Sequence, residues 1–221
     1  MNKRYVGLVL CMLILGGVGI SGARQSQEST SRPESVAGVF DYYLLALSWS
    51  PTFCLTRPDN AQCTGKGYGF VLHGLWPQYA KGGWPQSCAP MTQLTPSERA
   101  QGRAVFVTPQ LLKHEWAKHG TCSGLDAAAY LEHADKAVGA VKVPAKLQPF
   151  NREVYFKARD IAQMFRESNP GLPVDGVVVM CRGPQLSEVR VCMDKALSFQ
   201  ACGKGVRSNC RAGDIRVPPV R

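Results

Sequence analysis

The spacing of apolar positions changes several times along this chain, and each change predicts a different element. Phe40 to Trp49 (F-D-Y-Y-L-L-A-L-S-W) is a continuous apolar and aromatic run of strand length, which predicts a core strand. Pro51 to Gly67 reads as a turn-rich loop, and Tyr68 to Leu72 as a second strand running into His73-Gly74-Leu75-Trp76-Pro77-Gln78. Thr95-Pro96-Ser97-Glu98 has the form of a capping box and opens a helix. Thr108-Pro109 pairs an N-cap with Pro at the first helical position, and Gly120 supplies a stop, so a short helix is predicted from Pro109 to His119. Asp126 to Val138 is an Ala-rich helix. From Asn151 to Glu167, Val154, Ala158, Ile161, Ala162 and Phe165 follow amphipathic helical spacing, ended by Asn169-Pro170-Gly171. Val174 to Cys181 and Leu186 to Met193 flank Arg182-Gly183-Pro184-Gln185 and predict an antiparallel hairpin. The tail from Cys202 to Arg221 is rich in Gly, Arg and Pro. There is no internal repeat and no sign of a second domain.

The beginning of the chain has a different character. Lys3 and Arg4 precede an apolar run from Val6 to Ile20, followed by the small residues Ser21-Gly22-Ala23. Residues 1–23 therefore read as a secretory signal peptide, too short and wrongly flanked for a stable membrane span, with a retained anchor as the less favoured alternative. Residues 24–37 are polar and read as a flexible leader, leaving 38–221 as one domain with length enough for a sizeable core. Export places the mature protein in a periplasm or outside the cell, with no membrane attachment.

Cysteine usage agrees with export. Of nine cysteines, Cys11 falls in the signal, and the rest are Cys54, Cys63, Cys88, Cys122, Cys181, Cys192, Cys202 and Cys210. An even number in an exported chain implies a disulfide framework, whose pairing cannot be fixed from spacing. The absence of a C-x-x-C pair argues against a zinc ribbon or a redox motif. Removing Lys3 and Arg4 with the signal lowers the net charge from +10 to +8, which favours a polyanionic partner.

The chemistry concentrates in Lys113 to Cys122, K-H-E-W-A-K-H-G-T-C. On a helix, His114, Glu115, Lys118 and His119 share an arc of roughly 140°, with Leu112 and Trp116 beside it as packing residues. A solvated face carrying i,i+4 pairs would explain an ordinary charge run. Two histidines shift the balance, because imidazole both gives and takes a proton near neutral pH. Zinc is disfavoured: four residues after His114 stands Lys118, and the second histidine comes one position later. In the other segment, Gly74 after His73 permits close approach, and Trp76 offers an indole for stacking a base. His133, on the Ala-rich helix, reads as a surface residue without a role.

Phe70 to Gln78 (F-V-L-H-G-L-W-P-Q) and Lys113 to Cys122 together resemble the two active-site segments of the ribonuclease T2 family. The resemblance extends over nearly the whole mature chain, including the opening strand and the closing hairpin with its cysteines. It implies an α+β fold with a central antiparallel sheet, packed helices and disulfide staples in a single domain. It also implies the pairs Cys88–Cys122 and Cys181–Cys210, with Cys192–Cys202 nested inside, leaving Cys54–Cys63. The implied activity is endonucleolytic cleavage of single-stranded RNA without metal or other cofactor. In that scheme His73 and His119 are the catalytic acid and base, although two histidines do not by themselves reveal which is which. Lys118 and Glu115 complete the catalytic set, His114 binds phosphate, and Trp76 and Gln78 form the base site. Gln78 departs from relatives with Asp there, and an amide that both donates and accepts points to broad base preference. DNA would bind without reacting, and the enzyme is expected to be a monomer. An exported RNA- or glycan-binding domain without catalysis is the competing class; loss of either catalytic histidine would favour it, and both are present.

Overall fold

The computed structural model describes residues 35–220. The expected signal peptide and nearly all of the expected leader lie outside the described residues. Six strands form one sheet: β1 (Tyr42–Trp49), β2 (Phe70–Gln78), β3 (Val154–Lys157), β4 (Val177–Arg182), β5 (Gln185–Met193) and β6 (Asp214–Val217). The order is β2-β1-β5-β6-β3, with β4 paired to β5. Every pairing is antiparallel except β5–β6, which touch in parallel at Gln185 and Arg216. The helices are α1 (Ser50–Cys54), α2 (Pro96–Val105), α3 (Pro109–Lys118), α4 (Ala127–Ala140) and α5 (Ala158–Ser168). The fold is α+β, as the sequence implies.

β1 is buried almost throughout because it lies between β2 and β5 and carries apolar residues on both faces. Tyr43, Leu45, Leu47 and Trp49 join the main core with Leu72 and Leu75 of β2, Val189 and Val191 of β5, and Ile161 and Phe165 of α5. Leu112 and Trp116 of α3 enter the same core, as do Tyr130 and Leu131 of α4. The Tyr130 hydroxyl donates to the Leu75 carbonyl at 2.9 Å, which ties α4 to β2. Tyr42, Leu44 and Cys192 form a smaller apolar patch with Trp76 on the other face of the sheet.

The helix starts follow the predicted chemistry. Thr95 and Glu98 form a reciprocal capping box at α2. The Thr108 hydroxyl accepts from Leu111 N at 3.2 Å, and Asp126 accepts from Ala129 N at 2.8 Å. His119 is the C-cap of α3 rather than its last helical residue.

Several predicted boundaries are corrected. The loop after β1 begins with the helical turn α1, which Pro51 favours as an N-terminal helical residue. The strand expected to end at Leu72 continues to Gln78, so His73 and Trp76 lie within β2. The segment Asn151 to Glu167 is not one helix: Val154–Lys157 pairs with β6, and the helix starts at Ala158. Val154 and Phe156 are half-buried between exposed neighbours, an alternation that also matches part of a helical stripe. The tail contributes β6, and the first strand of the closing hairpin starts at Val177 after a 3-10 turn at Val174–Gly176. In that hairpin Arg182 faces Gln185 across Gly183-Pro184, with Gly183 at φ 57°, the left-handed region open to glycine.

All of the implied disulfides are present: Cys54–Cys63, Cys88–Cys122, Cys181–Cys210 and Cys192–Cys202. Cys88–Cys122 secures the end of α3. There the Lys118 carbonyl accepts from Ser87 N at 2.8 Å and the Cys122 carbonyl from Gly38 N at 3.0 Å.

Candidate active site

A break in the β1–β2 ladder positions His73. Ala46 pairs with Gly74 and Leu47 with Leu72, so His73 is an extra residue in β2, a β-bulge. The bulge keeps Leu72 and Leu75 in the core while His73 and Gly74 both point to the opposite side. There His73 meets side chains from both neighbouring elements. Its Nδ1 lies 2.6 Å from Oε1 of Glu188 on β5, and its Nε2 lies 3.7 Å from Oε1 of Glu115 on α3. Glu188 reaches His73 across β1, where the small residues Ala46 and Ser48 face Arg190 and Glu188.

Gly74 makes room for the next contact. A Cβ there would lie 2.1 Å from Glu115 Oε2 and 2.2 Å from Trp76 Nε1. In the space left open, Trp76 Nε1–H donates to Glu115 Oε2 at 2.7 Å. The Trp76 indole contacts both candidate imidazoles, its centroid 5.1 Å from that of His73 and 5.2 Å from that of His119. Glu115, 1% exposed, is otherwise shut off from water.

The α3 side chains complete the cleft. His114, Glu115, Lys118 and His119 line it together with His73, Trp76 and Gln78, around a volume of about 410 Å³. Each sequence-predicted site residue is therefore here. Gln78 is mostly buried and donates one amide proton to the Pro77 carbonyl at 2.9 Å, leaving the second amide proton and its oxygen. His133 packs near Tyr43 instead, with ring centroids 6.1 Å apart.

Electrostatics set the two imidazoles apart. For His73, burial works against the charged form, but the hydrogen bond and charge of Glu188 and the charge of Glu115 outweigh it, and its pKa is raised. For His119, burial and the nearby cations Lys118, His114 and His73 act together and bring its pKa down to about 3. His119 Nδ1 is buried without a hydrogen-bond partner among the described residues, which leaves Nε2 as the nitrogen open to the cleft. Burial pushes the Glu115 carboxyl up to about 7 against the pull of His73, the Trp76 N–H and Lys118. Burial also opposes ionisation of Glu188, but the His73 hydrogen bond and Arg190 overcome it and hold this carboxyl at about 2. His114 is lowered by burial, Lys118 and His73. Among the described residues, no three His, Cys, Asp or Glu side chains come together as a metal site.

A comparison with protein-family models matches residues 40–202 to the ribonuclease T2 family. The chain belongs to this family. It is an endoribonuclease of the T2 type. Among similar T2 relatives, a ribonuclease of Aeromonas hydrophila is 37% identical over 172 residues, covering 76% of this chain and 78% of the relative. Ribonuclease DdI of Dictyostelium discoideum is 27% identical and covers 97% of this chain and 98% of its own. Among solved structures, RNase NT in complex with 5′-AMP superposes with a TM-score of 0.64 at 27% identity, covering 81% of this chain and 98% of that one. An RNase-related protein from Calystegia sepium gives a TM-score of 0.66 at 26% identity, over 82% and 98%.

The T2 cleft also holds residues the sequence reading passed over. Trp84, half exposed, lines it together with Lys204 and Arg207. The two segments that carry them are joined by the Lys204 N–H, which donates to the Ala80 carbonyl at 2.9 Å. Arg190 lines the cleft as well, with its guanidinium carbon 5.2 Å from the Trp76 ring centroid. The available signal for Glu188 and Arg190 was two opposite charges at i and i+2 in an otherwise apolar strand, which places both on one face. Trp84 follows Gly82-Gly83, where an indole in a glycine-rich turn has little core to join.

Proposed function

We propose that the enzyme cleaves single-stranded RNA by intramolecular transphosphorylation, without metal. The observation that carries this reading is the pair of imidazoles brought into one cleft beside Trp76, one held neutral and the other inclined to keep its proton. His119 takes the proton of the 2′-hydroxyl, whose oxygen forms a bond to the adjacent phosphorus. The bond from phosphorus to the 5′-oxygen breaks, and His73 gives that oxygen its proton. The products are a 2′,3′-cyclic phosphate and a free 5′-hydroxyl. Water then opens the ring to a 3′-phosphate with the two histidines exchanging roles.

Lys118 and His114 meet the charge that grows on the non-bridging phosphoryl oxygens. With a pKa of about 7, Glu115 is protonated for part of the time at neutral pH and can then donate to one of those oxygens. Trp76 stacks the base, and Gln78 offers both a donor and an acceptor to it, consistent with broad base preference. The disulfides fit an oxidising compartment, so the enzyme works in a periplasm or outside the cell after its signal peptide is removed. It acts as a monomer.

The test is RNA cleavage in excess chelator, with analysis of the ends formed. Cyclic phosphate ends, later opening to 3′-phosphates, are expected, and DNA should compete at low salt yet stay intact because it lacks the nucleophile. Cleavage of DNA, or activity lost to chelator and restored by metal, would overturn the reading.

A further inference from the structure

Glu188 has no part in the proposed reaction, yet it makes the shortest polar contact His73 has, 2.6 Å from Oε1 to Nδ1. Ser48 Oγ donates to the same oxygen at 3.4 Å. The other oxygen accepts from Arg190 twice, from Nε at 2.8 Å and Nη2 at 2.7 Å. The Arg190 guanidinium in turn lies over Trp76, the Trp76 N–H is bound by Glu115, and Glu115 Oε1 returns to His73 Nε2. His73, Glu188, Arg190, Trp76 and Glu115 thus form a closed ring of contacts drawn from β2, β5 and α3.

We propose that Glu188, clamped by Arg190, is a positioning residue that fixes the Nδ1 proton of His73 and aims Nε2 into the cleft. A carboxylate accepts only, so Nδ1 must carry the proton, and the ring cannot turn over without breaking a charge-assisted bond. Arg190 keeps that carboxylate ionised, so Glu188 orients the imidazole without taking its proton. The two ends of the ring treat His73 differently. Glu188 is hydrogen-bonded to the nitrogen turned away from the reaction, whereas Glu115 lies 3.7 Å from the one turned toward it, beyond hydrogen-bonding distance. The groups facing His73 are Glu188 and Arg190 from β5, His114, Glu115 and Lys118 from α3, and His119 at the C-cap of α3. Of these the two carboxylates favour the imidazolium, and Glu188 contributes the only direct hydrogen bond. The inference rests on the reading that His73 delivers the proton to the leaving oxygen.

The experiment measures kcat/KM against pH for a dinucleotide substrate, alongside NMR titration of the His73 imidazole in the resting enzyme. Glu188→Gln keeps an acceptor opposite Nδ1 but removes the charge. The His73 midpoint and the alkaline limb of the profile should both move down by about one unit, which is about a tenfold loss of rate on that limb. KM should change little. Arg190→Met removes a cation that opposes the imidazolium, so the same midpoint should move up, and this opposite sign separates the proposal from simple loss of stability. Midpoints that stay put in both variants, with activity following melting temperature alone, would overturn it. If the wild-type enzyme forms no cyclic phosphate, the underlying reading fails instead, and the NMR midpoints still report whether Glu188 governs His73.

Discussion

Gly74 shows how little space Trp76 and Glu115 leave one another. Its φ is not in the left-handed region, so glycine is required here by contact and not by backbone conformation. Gly74→Ala should force apart the Trp76 indole and the Glu115 carboxylate, whose hydrogen bond occupies the position of the new methyl. Activity should fall by about a hundredfold, the scale of a misplacement near 1 Å, while near-ultraviolet circular dichroism reports an intact core. Substitution of His73 or His119 by Ala should each cost at least about a hundredfold in kcat by removing acid–base assistance. His133→Ala should leave activity nearly unchanged, and a crippled His133 variant would mean that the site has been misassigned. The divergent protonation of His73 and His119 also predicts a bell-shaped rate profile. On the proposed mechanism its alkaline limb marks loss of the His73 proton. The acidic limb should extend below the ordinary histidine range, because His119 stays neutral down to about pH 3.

At the scale of elements, the helix carrying Glu115 and His119 depends on a cap that is exposed to a simple test. Thr108→Ala removes the acceptor for Leu111 N and should cost about 1 kcal/mol, read as a lower midpoint in denaturant. That cap was legible in the sequence, as were α2, α4 and the hairpin of β4 and β5, because each depends on neighbours in the chain. The elements that were not legible owe their form to distant partners. Val154–Lys157 becomes a strand by pairing with Asp214–Val217, and neither run is long enough to declare itself alone. The site divides in the same way. Both histidine segments could be recognised, but Glu188 gains its meaning from the register that sets it beside Ser48 on β1, opposite the bulge in β2. Strand alternation could put Glu188 and Arg190 on one face; only tertiary structure could say what that face meets.

For the whole molecule, the Cys88–Cys122 bridge spans 34 residues between the segment after β2 and the end of α3. Its loss should cost roughly 3–4 kcal/mol on the chain-entropy account, and reduction should lower melting temperature and activity together. Peptide mapping that found Cys88 free in the native protein would contradict this. Acid should destabilise the fold most strongly through Glu188 and His119, with His114, also lowered, acting in the same sense as His119. Glu188, depressed to about 2, adds stability that is present above its unfolded value and is lost as pH falls through about 2. His119, depressed to about 3, must charge on unfolding below about pH 6.5, so its buried neutral form loses ground as pH falls from there to about 3. Glu115 acts in the opposite sense, since its raised pKa lets the folded state gain protons between about pH 7 and 4.5. His119→Gln should therefore flatten the fall in melting temperature between about pH 6.5 and 3. An unchanged slope would show that His119 titrates normally.

Without residue 73, Leu72, Gly74, Leu75 and Trp76 would alternate without interruption between the core and the cleft, in register with Leu47, Ala46, Leu45 and Leu44. The proposed proton donor is thus an insertion that the sheet does not need for its own pairing. Excising that single residue, instead of replacing it, should yield a chemically silent protein with a regular ladder, still able to hold RNA in the cleft. Such a deletion would turn the nuclease into a capture reagent for the transcripts it otherwise destroys.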